Sequence, residues 1–81
     1  MLTVSVISPE RVLFEGQATA VTAPGFDGEL GILPGHAPLM TVLGKGTLRL
    51  EGASQSFQVE GGFLQVVDNI VRVVTETATA V

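Results

Sequence analysis

Apolar and polar residues alternate along most of this chain with a period of two rather than 3.6. In Thr47-Leu48-Arg49-Leu50-Glu51 the leucines fall on one side and the polar residues on the other, and Ser56-Phe57-Gln58-Val59-Glu60 repeats the arrangement. Both segments predict half-buried antiparallel strands, joined through Gly52-Ala53-Ser54 as a hairpin. Leu64–Val67 and Ile70–Thr75 are rich in Val and Ile. Asp68-Asn69 lies between them, a pair that tolerates the left-handed backbone of a tight turn. Gly61-Gly62 opens this second hairpin in the manner of a bulge. Gly44-Lys45-Gly46 forms a third turn, leading from Pro38–Leu43 into Thr47–Glu51. Nearer the N-terminus, Leu2–Ile7 alternates, Ser8-Pro9-Glu10 turns, and Val12–Ala23 is a long β-prone run weakest at Gly16. Pro24-Gly25-Phe26-Asp27-Gly28 turns again. No segment carries a helical period, and β-branched residues fill Phe63–Val81, the longest stretch without Gly or Pro. The expectation is an all-β fold: a flattened antiparallel β-sandwich of about eight to ten short strands, in one domain spanning residues 1–81.

The strand through Pro38–Leu43 departs from clean alternation. Leu39, Thr41 and Leu43 share one parity, Met40 and Val42 the other, so both faces are partly apolar. A small sandwich rarely buries a strand on both faces. The pattern therefore fits a strand with core on one side and a partner on the other.

Composition sharpens this reading. The chain has 81 residues, 46% hydrophobic and 15% charged, which excludes a disordered segment. Its mean hydropathy of +0.50 implies apolar surface left outside a core this small. There is no Cys, hence no disulfide and no thiolate metal site. The net charge of −4, with Arg11, Lys45, Arg49 and Arg72 scattered, argues against a nucleic-acid partner. Trp and Tyr are absent, so no stacking platform for bases or sugars is evident. The start, MLTVSVIS, lacks a basic n-region and a long apolar block. The uncharged stretch Leu30–Gly44 is broken by Pro34 and Pro38 and is too short to span a bilayer. These features predict a soluble, intracellular chain that something else holds wherever it works at a membrane.

Candidate chemistry concentrates in Gly28-Glu29-Leu30-Gly31-Ile32-Leu33-Pro34-Gly35-His36-Ala37-Pro38-Leu39. His36 is the chain's one histidine, with no Cys and no serine in a nucleophile setting near it in sequence. One His with Glu29 seven residues away is not a metal signature. The expectation is a loop histidine hydrogen-bonded to nearby backbone. The glycines match neither a Walker A motif nor G-x-G-x-x-G, and Asp27 and Glu29 would repel phosphate. Pro34 and Pro38 stiffen the loop, which suits a docking surface held in shape before binding.

This block, followed by Val59-Glu60-Gly61-Gly62-Phe63-Leu64-Gln65-Val66 and by Asn69-Ile70-Val71-Arg72-Val73-Val74-Thr75-Glu76-Thr77-Ala78, resembles the N-terminal domain of the epsilon subunit of F-type ATP synthase. The resemblance covers essentially the whole chain. It implies a ten-stranded sandwich in the central stalk, a non-catalytic rotor subunit that links gamma to the c-subunit ring and couples proton flow to ATP synthesis. Its place would be peripheral, at the cytoplasmic face of a bacterial inner membrane. It further implies ring contacts at Glu29 and His36, where c-subunit loops offer Arg, and gamma contacts at Ser8 and Thr41 with Leu39 and Met40 beside them. Most members continue into two C-terminal helices that inhibit hydrolysis and, in some, bind ATP. The resemblance ends at the sandwich, so it carries over neither inhibition nor a nucleotide, and it implies no cofactor. Two other readings are weighed against it. A free-standing ligand-binding sandwich, for carbohydrate for instance, would want exposed aromatic side chains. A small jelly-roll enzyme would want clustered His and acids.

Overall fold

In the computed structural model, which describes residues 1–81, the alternating segments become ten strands. They are β1 (Leu2–Ile7), β2 (Val12–Ala18), β3 (Ala20–Gly25), β4 (Gly28–Ile32) and β5 (Leu39–Val42), then β6 (Lys45–Glu51), β7 (Gln55–Glu60), β8 (Phe63–Val67), β9 (Ile70–Val74) and β10 (Thr77–Ala80). Two five-stranded sheets result, ordered β2-β1-β9-β8-β5 and β10-β7-β6-β3-β4. The molecule measures 28 × 25 × 18 Å. The thin axis is that of two sheets stacked about 10 Å apart, plus their outer side chains.

One parity of each strand supplies the core. Leu2, Val4 and Val6 of β1, Leu64 and Val66 of β8, and Val71 and Val73 of β9 face Val21, Ala23, Ile32, Leu48, Leu50, Phe57 and Val59 of the second sheet. With no disulfide available, this interior holds the domain together. Each fully buried Leu or Val contributes about 1.5–3 kcal/mol relative to an exposed one. The buried Thr75 hydroxyl lies 3.0 Å from the Gly61 carbonyl and 2.9 Å from that of Thr77, and no buried polar side-chain atom is left without a partner.

The structure departs from the sequence expectation at three joints. Val12–Ala23 divides at Thr19, not at Gly16, and its halves enter different sheets. Thr19 is pinned there twice: its amide and its hydroxyl both donate to the Glu51 carbonyl, at 2.8 and 3.1 Å. Leu43 and Gly44 make the corner between β5 and β6, Leu43 bridging to Gly25, while Lys45 and Gly46 already belong to β6. That connection crosses from one sheet to the other. Finally, β1 and β9 pair in parallel, the exception in an otherwise antiparallel arrangement. The pairing inserts the first strand between β2 and β9.

Candidate functional site

The outer face of the first sheet carries a cluster of exposed apolar residues. Its outward parity carries Met40 and Val42 on β5, Phe63 and Val67 on β8, and Ile70 on β9, with Met40 64%, Val42 59% and Ile70 53% exposed. Register sorts them into rows. Val42 lies opposite Phe63, Phe63 opposite Val74, and Val74 opposite Ile7. Val67 lies opposite Ile70. Between these rows runs a polar stripe, Gln65–Arg72–Ser5 in strand-to-strand register, with Met40 opposite Gln65 at its β5 end.

The parity expected for Pro38–Leu43 is the parity found. Met40 points outward, while Leu39 and Thr41 are half-buried on the inward side at the free edge of the sheet, Leu39 packing against the core. Ser8 follows β1 at the opposite edge region, half-buried. Its hydroxyl donates to the Arg11 carbonyl at 3.2 Å and accepts from the Arg11 amide at 3.3 Å, an ST-type turn that stops the strand. Ser8, just past the end of β1, is thus separated from the β5 residues of the same sheet by β9 and β8.

Glu29 and His36 do not share a loop. Glu29 is an exposed residue of edge strand β4, paired with Pro24 next to the Phe26-Asp27 hairpin tip, where Phe26 is 69% exposed. His36 lies beyond the far end of β4. At about 3.3 Å per residue the strand separates Glu29 from the start of that loop by about 13 Å. The two mark opposite ends of one edge of the sandwich.

The loop itself is built as the sequence implies. Pro34 and Gly35 take the middle positions of a turn closed by the His36 amide donating to the Leu33 carbonyl at 3.1 Å; Gly35 has φ 87°, which suits glycine after proline in a type II turn. The Gly35 amide donates to Asn69 Oδ1 at 2.7 Å, tying the loop to the β8–β9 turn. His36 is exposed, and its Nδ1 donates to the Ala37 carbonyl at 2.7 Å, the local bond expected of it. Leu33 through Pro38 stay at the surface.

Sequence reasoning found Met40 but missed Val42's neighbours on the same face, Phe63, Val67 and Ile70. The signal was present. β8 and β9 are apolar at both parities, just as β5 is, and an outward parity should otherwise be polar. No group of three or more His, Cys, Asp and Glu is gathered in a metal-holding arrangement. Three shallow depressions, of about 300, 490 and 410 Å³, open on the surface, and His36 lines none of them.

What this geometry offers is shaped surface on an all-β sandwich: an apolar face, a stiff loop and an acidic hairpin end. The chain belongs to the family of the ATP synthase delta/epsilon chain β-sandwich domain, whose model matches residues 1–81. It is 46% identical over 77 residues to an ATP synthase epsilon chain of Leptospira borgpetersenii, covering 93% of this chain and 61% of that one. It is 47% identical over 75 residues to one of Desulforamulus reducens, covering 90% and 57%. The chain thus spans about three fifths of the length of these curated relatives. Among solved structures, a chain of the Euglena gracilis mitochondrial ATP synthase OSCP/F1/c-ring assembly superposes with a TM-score of 0.88 at 24% identity, over 98% of this chain and 52% of that one. A chain of the Tetrahymena thermophila mitochondrial ATP synthase central stalk and c-ring gives 0.80 at 22%, over 96% and 65%. At these identities the likeness is one of fold.

Proposed function

We propose that this chain is the sandwich of a non-catalytic rotor subunit in the central stalk of a proton-translocating F-type ATP synthase, linking gamma to the c-subunit ring so that proton flow is coupled to ATP synthesis. Family membership supports the assembly. The observation that carries the docking role is the outer face of the first sheet, where a well-packed domain leaves Met40, Val42, Phe63, Val67 and Ile70 in water. Gamma covers this face. Met40 projects from the face into gamma, Leu39 and Thr41 meet gamma along the free edge of β5, and Ser8 bounds the contact at the end of β1. The β4 edge, with Glu29 at one end and His36 at the other, rests on the c ring, where the Glu29 carboxylate accepts charge-assisted bonds from arginine. The subunit is peripheral, held by these protein contacts at the cytoplasmic face of a bacterial inner membrane. Its net charge of −4 opposes direct adhesion to anionic lipid.

The test is binding to the gamma subunit of the same ATP synthase. The wild-type chain forms a complex at micromolar concentration, and Met40→Asp weakens it by about 30-fold or more, a hot-spot-sized loss, with unchanged melting temperature. Absence of any wild-type complex at that concentration overturns the reading.

A further inference from the structure

We propose that the partner covering the outer face of the first sheet presents a carboxylate to Arg72, and that this ion pair, formed only in the complex, fixes the partner's orientation. The inference rests on the reading that gamma covers this face. Arg72 lies on β9, the middle strand of the sheet, two strands in from either edge. Ser5 is directly opposite on one side and Gln65 on the other. The apolar row Ile7–Val74–Phe63–Val42 runs along one flank, and Ile70 with Val67 along the other. No other cation shares this face: Arg11 stands in the turn after Ser8, and Lys45 and Arg49 belong to the second sheet.

Within the chain, Arg72 forms no ion pair. The molecule's single ion pair joins Lys45 Nζ and Glu60 at 3.9 Å on the other sheet. Asp68 lines the same open depression of about 300 Å³ as Gln65, Val67, Ile70 and Arg72, but forms no ion pair with the guanidinium. Glu15 is opposite Ser5, one strand further out. Water therefore satisfies the charge in the free chain, where Arg72 is exposed.

An apolar partner laid on this face removes that water. Arginine does not deprotonate, so under an apolar partner it must be paired or remain a buried, unpaired charge, which is strongly destabilising. A carboxylate meets this need through two parallel N–H···O bonds, and that fork also prevents rotation and sliding. The apolar rows alone permit sliding along a flat sheet. For a part that transmits torque, a central bidentate pin supplies the missing directional constraint.

The experiment compares gamma binding by the wild type, Arg72→Met, Arg72→Glu and Met40→Asp, with melting temperatures as the folding control. Arg72→Met is expected to weaken binding by about 30-fold or more, and Arg72→Glu by more again, with no loss of melting temperature. One Asp or Glu of gamma, changed to Lys, should weaken wild-type binding and restore binding to Arg72→Glu. If Arg72→Met binds as tightly as wild type while Met40→Asp does not, the carboxylate is refuted and the gamma face stands. If neither variant alters binding, the face itself is misassigned. Failure of every acid-to-lysine change in gamma to rescue Arg72→Glu also overturns the ion pair.

Discussion

Replacing Gly62 by alanine places a methyl group where the backbone leaves no room. Gly62 has φ 110°, outside the range that L-residues adopt at low cost. An added Cβ falls on the Val74 carbonyl oxygen and lies 2.7 Å from Thr75 Cα and 2.9 Å from the Val74 carbonyl carbon. All three are backbone atoms, so no side chain can swing aside. Relief requires β8 and β9 to part at the Phe63–Val74 pair and strains the 2.9 Å bond from the Leu43 amide to the Gly62 carbonyl. The unfavourable φ costs about 1–3 kcal/mol, and each weakened backbone bond adds about 1 kcal/mol. A total of about 2–4 kcal/mol is large against roughly 4–12 kcal/mol for a domain of this size. At about 4–8 °C per kcal/mol, the melting temperature should fall by at least about 8 °C. Gly61→Ala is the internal control. It also has positive φ, 75°, but its Cβ meets only the flexible Glu76 Oε1, at 3.4 Å. It should lose about 1–2 kcal/mol. Gly31→Ala, with open space around it and no positive φ, should stay within about 0.5 kcal/mol. Far-UV circular dichroism melts suit the chain, which has no Trp or Tyr to report by fluorescence. Equal melting temperatures for Gly61→Ala and Gly62→Ala would refute the close-approach argument.

Two further outcomes follow from the β4 edge and its loop. Glu29→Arg should leave the melting temperature within about 2 °C, since Glu29 is exposed and in no ion pair. The same change should reduce retention on isolated c ring, and undiminished ring binding and coupling would mean that Glu29 is an incidental acid. Asn69→Ala removes the acceptor of the Gly35 amide and places alanine at φ 63°, costing about 1–2 kcal/mol in total. Hydrogen exchange at Gly35 should accelerate, and unchanged protection there would show that the loop is held by its own turn rather than by Asn69.

Strand identity was legible for β1, β6, β7, β8 and β9 because alternation or β-branched enrichment is a local property, visible within a few residues. The Asp68-Asn69 turn was legible for the same reason: both residues take positive φ, 50° and 63°, as a two-residue hairpin turn demands. The partition into sheets was not legible, because it depends on contacts distant in sequence. Thr19, a corner without Gly or Pro, is made by bonds to Glu51, and the parallel pairing of β1 with β9 joins the two ends of the chain. For the site, Glu29 and His36 read as one loop in the sequence, whereas most of β4 divides them. The Gly28–Ile32 segment has too few residues for its period of two to stand out beside its glycines.

The two outer faces differ in a way that bears on which one a lasting partner covers. On the second sheet the outward row Thr47–Gln58–Thr79 is polar, with Thr47 donating to Gln58 Oε1 at 3.2 Å, and Lys45 and Glu60 pair in solvent beside it. Those groups satisfy one another or water, so covering them gains little. The apolar rows of the first sheet have no such alternative. The acidic hairpin end is tied directly to that apolar face: the Phe26 amide donates to the Val42 carbonyl at 2.9 Å, Gly44 to Pro24 at 2.8 Å and Leu43 to Gly62 at 2.9 Å. In the proposed rotor, a load entering along β4 therefore reaches the gamma-facing strands through short backbone bonds and a close-packed interior that deforms little. A mobile linker between the same two surfaces would absorb the twist in such a rotor; here the corner at Leu43–Gly44 is held by backbone bonds to Pro24 and Gly62 instead.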